Sequence, residues 1–367
     1  MLETWFEAGR WFYNQSVETM ESGEFQFTPS FITLYDIAKT AVWDRHLPVP
    51  YQVKKIACRD AERAMKAGKK KCKQTGEKFK LSFRSRKAPV QSVFIPKSAV
   101  SDKGVFYTIL GVMESAESIP TTEIGDSRLV LDHGRYFLCV PVREPITVIQ
   151  NVGIVAVDPG IRTFGTIFGV RDGMEIIGKF GEQAYERIIK LCLQVDSIIS
   201  KLKTRPTRSR KTSLKRALNR LKWKIWDLVD ELHNKFVRFL ADNFALVLLP
   251  TFEVSQMVYK SGSKVRKLNS KTARSMLTLA HYRFKLKLKN QGVEVLDVNE
   301  AYTSKTDSWT GIINNKLGGA KTIKVGTEQI RVDRDVNGAR GIFLRAVGDT
   351  PALRTLVECA ETIITRS

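Results

Sequence analysis

The sequence has no C-x-x-C pair, no long apolar run and few acids for its length. Its five cysteines (Cys58, Cys72, Cys139, Cys192, Cys359) are scattered. That excludes a disulfide framework and a cysteine-rich zinc site, and it fits a reducing compartment. No apolar stretch approaches the roughly 18 residues of a membrane span, so no membrane partner is expected. The N-terminus, MLETWFEAGRW, carries acidic residues where a secretory leader would carry basic ones. The protein is therefore expected inside the cell, in the nucleus of a eukaryotic host and in the cytoplasm otherwise. The shortage of acid is the strongest signal: 38 Asp and Glu stand against 60 Lys and Arg in 367 residues, a net charge of +22. So basic a chain points to nucleic acid, because neutralising phosphates releases condensed counterions. On charge alone a purely structural RNA-binding role is equally open.

The length allows two or three modules. In the first 27 residues Trp5, Ala8, Gly9, Phe12 and Ser16 fall on one helical face. Residues 28–88 read as helices, with Thr28-Pro29-Ser30 as a start signal. From Lys54 to Lys87 there are 14 basic residues against three acids. Lys69, Lys70, Lys71, Arg84, Arg86 and Lys87 in its densest parts are candidate nucleic-acid contacts, the plain alternative being a solvated helix face. Residues 90–148 change to short β-type runs (VQSVFIP, GVFYTIL, DSRLVLDHG, RYFLCVPV), which predict a small antiparallel sheet or barrel.

From residue 151 the pattern is three strands (GIVAVD, FGTIFGV, MEIIGKF), a long helical block to about 243, and a strand at 245–250. A helix at 270–290, a strand at 293–298 and a last helix from Asp335 complete it. That order is the one expected of an RNase H-like α/β domain. Lys201 to Lys224 holds eleven Lys or Arg and no acid. Arg208, Arg210, Lys211, Lys215 and Arg216 there are further candidate phosphate contacts.

Three carboxylates stand out. Asp158 ends the first strand of this half, in VAVDPG, where a side chain points out of the sheet; an Asx-type turn is its ordinary use. Glu253 follows the strand ALVLLP and is the one acid among the ten basic residues of 251–292; an ordinary surface ion pair is its alternative. Asp335 and Asn337, in VDRDVNGARGIF, sit at a helix start, where their oxygens serve as N-caps. A first strand, a fourth strand and a final helix of an RNase H-like sheet meet at one edge. Three hard carboxylates there would hold two Mg²⁺, which activate water and stabilise a leaving oxygen. Arg331 and Arg334 would then lie near the scissile phosphate or pair with Asp333.

GIVAVDPGIRTFGTIF, LVLLPTFEVSQMV, AYTSKTDSWTG, KLGGAKTI and VDRDVNGARGIFLRAV, in this order, closely resemble the RuvC-domain blocks of the TnpB/Fanzor family of transposon-associated RNA-guided DNA endonucleases. Their details resemble the Fanzor-like branch most. The resemblance implies Asp158, Glu253 and Asp335 as the catalytic and Mg²⁺-binding triad. It also implies a β-barrel wedge domain (1–27 and 90–150) interrupted by a helical recognition domain (28–89). A RuvC nuclease domain (151–347) and a C-terminal tail (348–367) follow. The implied partners are a guide RNA and target double-stranded DNA with an adjacent motif: base pairing reads sequence, and protein reads shape and the motif.

The sequence departs from the family in three places. Many relatives place the glutamate where Pro250 stands. Many carry a four-cysteine zinc finger between the second and third acidic blocks. Here Asp307 and Thr310 occupy its first two cysteine positions, and no cysteine lies between Cys192 and Cys359. The insert at about 300–332 is therefore expected to hold no zinc, and its Glu300 and Asp307 either add carboxylate to the site or lie on the surface. Relatives usually carry an additional basic strand before the segment resembling ETWFEAGRWFYNQ, so the barrel is expected either to be incomplete or to close another way. The functional expectation is an RNA-guided endonuclease. A guide-dependent DNA-binding regulator without cleavage is the alternative, and a structure-specific nuclease without guide a third.

Overall fold

The structure is a computed structural model that describes residues 1–22, 25, 27–41, 48–143, 153–251, 270–299, 303, 305–314 and 320–354. It divides into two compact units, Met1–Pro145 and Ile146–Ser367.

In the first unit, α1 (Leu2–Glu21), α2 (Phe31–Thr40) and α3 (Tyr51–Thr75) pack together. The face foreseen for α1 is the buried one: Trp5, Ala8, Phe12 and Ser16 are all nearly inaccessible. α2 begins where Ser30 caps it, its hydroxyl accepting from the Thr33 N–H at 3.2 Å. α3 ends at Gly76, whose φ of 71° suits glycine at a helix terminus. Then come β1 (Val90–Ile95), the two-residue β2 (Val100–Ser101) and β3 (Gly104–Val105), α4 (Tyr107–Leu110), β4 (Ser127–Asp132) and β5 (Arg135–Cys139). Among the described residues β1, β4 and β5 form one antiparallel three-stranded sheet in the order β1-β4-β5, and β2 pairs with β3. The run GVFYTIL is not the single strand its composition predicts. Phe106 adopts φ 45°, which stops β3 after two residues and starts the turn of α4.

The second unit is built on β6 (Ile154–Pro159), β7 (Gly165–Arg171) and β8 (Met174–Phe180), followed by α5 (Glu182–Lys203), α6 (Arg208–Asn243) and β9 (Leu246–Pro250). α7 (Ser270–Leu279), α8 (His281–Asn290), β10 (Glu294–Val298), the hairpin β11 (Thr322–Val325) and β12 (Ile330–Asp333), and α9 (Arg334–Asp349) complete it. The main sheet runs β10-β9-β6-β7-β8. β6, β9 and β10 are parallel, β7 returns antiparallel to β6, and β8, antiparallel to β7, points the same way as β6 again. The central strands read as continuous apolar runs because both faces are covered. Val155 and Val157 face a core shared with α5, α6 and α8, whereas Ala156 and Leu248 face Ala339, Ile342, Phe343 and Ala346 of α9. The expected helix at 270–290 is two helices, because Ala280 takes a left-handed φ of 47°. The second half of α6 buries Ile225, Val229, Leu232, Phe236 and Leu240 in one stripe, while its first turns carry the basic run. Among the described residues no helix is long and apolar enough to cross a membrane.

Candidate functional site

β6 is the middle strand of the sheet, and its end carries Asp158, in register with Thr166 of β7. α9 packs on β6 and β7, with Phe343 edge-on to Phe168 at 5.5 Å. This packing brings the first turn of α9 to the end of β6. Gly338 makes the approach possible: a Cβ on it would lie 2.5 Å from Asp158 Oδ2. Asp158, Asp333 and Asp335 line one cleft of about 560 Å³, with Arg162, Lys179, Lys321 and Arg334 around them.

Asp333, not Asp335 or Asn337, caps α9. Its Oδ1 accepts from the Asp335 N–H at 2.9 Å, and its Oδ2 accepts from Lys179 Nζ at 2.6 Å. The helix starts one residue earlier than the pattern predicts, which moves the cap two residues upstream and leaves the Asp335 carboxylate outside that role. Burial pushes the Asp333 carboxyl up, but Lys179 and the N–H groups of Asp335 and Val336 together hold it below the usual carboxylate range. Asp335 goes the other way. Burial and the neighbouring Asp333 raise it, against Lys179, Arg334 and Arg162. A carboxyl held above its ordinary value beside a ring of cations is a group whose charged form lacks enough compensation from protein alone.

Asn337 does something the sequence pattern did not announce. It is fully buried, its Oδ1 accepts from the Ser308 N–H at 2.9 Å, and its Nδ2 donates to the Thr306 carbonyl at 2.8 Å. Arg340 donates to the Ser308 carbonyl and lies 4.5 Å from the Trp309 ring centroid. Asp307 takes no part in the cleft. Its carboxylate accepts from the N–H groups of Trp309 and Gly326, both at 2.9 Å, and from the Thr310 hydroxyl at 2.8 Å.

The remaining expectations fall in several places. Glu253 and Glu300 lie outside the described residues, and among the described residues no three His, Cys, Asp or Glu side chains are placed to hold a metal ion together. Arg331 is exposed on β12, and Arg334 lines the cleft. Arg208, Arg210, Lys211, Lys215 and Arg216 are exposed on the first turns of α6. Lys69, Lys70, Lys71, Arg86 and Lys87 are also exposed, with Lys69 donating to the Thr28 hydroxyl at 2.9 Å. Arg84 is turned inward: it lies 3.8 Å from the Tyr13 ring centroid and 3.5 Å from Asp60. Asp60 in turn is gripped by both terminal nitrogens of Arg128, at 2.8 and 2.7 Å. Lys179, Asn337, Gly338 and Arg340 were missed as site residues. Asn337 was legible only as a candidate cap, and Gly338 only as a glycine inside a helical pattern.

Comparison with known proteins finds a matching domain model, relatives and a similar fold. The Cas12f1-like TNB domain model matches residues 281–342. A transposase-like protein of Paramecium bursaria Chlorella virus 1 is 30% identical over 217 residues, 58% of this chain and 48% of its own length. A TnpB-like protein of Acanthamoeba polyphaga mimivirus is 28% identical over 270 residues, 69% of this chain and 49% of its own length. The chain thus spans about half the length of these curated relatives. In fold it is similar to the protein in the cryo-EM structure of a Cas12f1–sgRNA–target DNA complex. The TM-score is 0.51 at 11% identity, covering 93% of this chain and 81% of that one.

Proposed function

We propose that this chain, similar to TnpB-like proteins and to the Cas12f1-like TNB domain, is an RNA-guided, Mg²⁺-dependent DNA endonuclease of the TnpB family that cuts at the cleft beyond β6. The observation that carries this reading is that Asp158, from the middle strand, and Asp335, from the helix packed on it, line one cleft ringed by cations. Two features support it further: Gly338 leaves room for the Asp158 carboxylate, and Asp333 relieves Asp335 of capping. The order β10-β9-β6-β7-β8, with β7 alone running against the other four strands, supports an RNase H-like (RuvC) reading of the second unit. On this reading the first unit is the wedge with its helical recognition part.

The donors fit Mg²⁺: they are hard carboxylate oxygens, and Asp335 in particular is short of positive charge in the protein alone. Asp158 and Asp335, with Glu253 as third ligand, would hold two ions. When bound, such ions supply an activated water and stabilise the leaving oxygen of a phosphodiester. The chain's own groups do the rest. Arg162, Lys321 and Arg334 receive phosphate oxygens at the rim. Lys179 keeps Asp333 ionised, so the first turn of α9 stays capped and Asp335 stays aimed into the cleft.

The partners are a guide RNA and double-stranded target DNA carrying an adjacent motif. The Cas12f1 complex, similar in fold, holds an sgRNA and target DNA. The exposed basic tracts of α3 and α6 suit the phosphates of an RNA scaffold and an A-form heteroduplex. The test is to purify the protein from cells carrying its native locus and sequence the bound RNA. One defined RNA, together with binding of DNA that matches part of it, is the expected result. No specific RNA, or binding indifferent to the match, would overturn the reading.

A further inference from the structure

We propose that Asp307 is a positioning residue: a metal-free clasp that ties the 306–310 turn to the β11–β12 hairpin and so holds the first turn of α9, with Asp335, in register with Asp158. The connections form a closed ring. β12 runs directly into the Asp333 cap and Asp335. Two residues on, the buried Asn337 holds the 306–308 segment through both halves of its amide. Arg340, one turn further along α9, grips Ser308 and covers Trp309. Asp307, inside that segment, reaches 19 residues ahead to the Gly326 N–H at the hairpin turn, and the hairpin returns the chain to Asp333.

Each link is satisfied from more than one side. Asp307 Oδ1 takes the Trp309 N–H, and Oδ2 takes the Thr310 hydroxyl and the Gly326 N–H. Burial pushes its carboxyl up, but these three donors hold it below the usual range, so it is ionised at neutral pH and its hydrogen bonds are charge-assisted. At the base of the hairpin the Arg334 N–H donates to the Lys321 carbonyl at 2.9 Å. Asp307 therefore supplies a cross-link between the 306–310 turn and the β11–β12 hairpin without a metal ion. A carboxylate needs two backbone N–H groups and a hydroxyl for this, and the turn at Thr310 and the hairpin at Gly326 provide them.

The inference rests on the proposed cleavage at this cleft, and its test separates the two. The native ribonucleoprotein is compared with its D307A and D307N forms by hydrogen exchange of peptides spanning 305–314 and 322–330, and by the Mg²⁺ dependence of cleavage. In D307A both peptides exchange faster by about tenfold or more, the factor that goes with losing a charge-assisted hydrogen bond. The Mg²⁺ concentration for half-maximal cleavage rises by about fivefold or more, while the rate at saturating Mg²⁺ falls less, because the ligand is displaced but still present. D307N, which keeps one carbonyl oxygen, is intermediate in both readouts and serves alone if D307A does not fold. Chelation of zinc changes nothing in the wild type. Unchanged exchange, or faster exchange with an unchanged Mg²⁺ requirement, would overturn the clasp. If the wild type does not cleave at all, the proposed function fails, while the exchange measurement still decides the clasp.

Discussion

Gly338 stands so close to Asp158 that a single methyl group on its Cα would sit 2.5 Å from the carboxylate oxygen. The contact joins the two elements that bring acids to the cleft. Alanine is a better helix former than glycine by about 1 kcal/mol. Gly338→Ala should therefore leave thermal stability equal or higher while pushing Asp158 aside. A displacement of about 1 Å at such a position costs on the order of a hundredfold in rate. A melting curve beside a cleavage assay checks the prediction; loss of folding together with activity would refute it.

Asp335 offers a complementary case. Its carboxyl is held above the ordinary value by burial and by Asp333, so its charged form is disfavoured in the fold. The neutral isostere in Asp335→Asn removes that penalty at neutral pH. The variant should melt at the same or a higher temperature, yet lose cleavage by about a thousandfold or more, since several kcal/mol of charge stabilisation depends on metal held there. A clear drop in melting temperature would mean the side chain serves structure instead.

His233 and His281 lie beneath the turn that follows Asp158. His281 stacks on Phe164 at 4.8 Å and hydrogen-bonds the Gly160 backbone, and His233 meets the Leu279 carbonyl at 2.9 Å. Burial lowers both, to about 4, helped for His281 by His233 and for His233 by Arg283 and Lys287. Unfolded, each titrates near 6.5. Between these values the unfolded chain binds more protons, so stability is full above about pH 6.5 and falls as pH drops towards 4. Each histidine shifts the unfolding equilibrium by up to about tenfold per pH unit there. Chemical denaturation at a series of pH values should show this slope, and His281→Leu should flatten it.

The two sets of basic residues should separate by assay. Arg84 packs on Tyr13 and pairs with Asp60, so Arg84→Ala should destabilise the first unit by about 1–2 kcal/mol. Arg86→Ala, at an exposed position, should leave stability unchanged and weaken RNA binding. On α6, replacing Lys211, Lys215 and Arg216 should leave the melt unaltered. It should also reduce the salt slope of RNA binding by about 0.7 for each single-strand phosphate contact removed. Filter binding at several salt concentrations, beside the melts, reads both.

Much of the second unit was legible in the sequence because its signals are local. IVAV and LVLL are continuous apolar runs and form strands buried on both faces; Ala339, Ile342, Phe343 and Ala346 repeat at helical spacing and pack on that sheet. What was not legible depends on distant partners or on one dihedral angle. Asn337 looked like a cap, and its true partners lie 29 and 31 residues away. Asp333 took the cap because α9 starts one residue early. The break between α7 and α8 falls at Ala280, a good helix former that gives no stop signal. In GVFYTIL a β-type composition lost to one left-handed residue, Phe106. Asp307 was weighed as an added ligand or a surface acid; its reach to Gly326 depends on a hairpin turn that residue types alone do not place.

In the proposed function Asp158 and Asp335 cut DNA chosen by a bound RNA. The most direct measurement is cleavage of matched and mismatched duplex DNA in Mg²⁺ by the purified ribonucleoprotein, wild type beside Asp158→Ala. The wild type should cut only matched DNA, and the variant should keep the RNA and bind the same DNA without cutting it. Cutting by the variant at an undiminished rate, or matched binding without cutting by the wild type, would contradict that function.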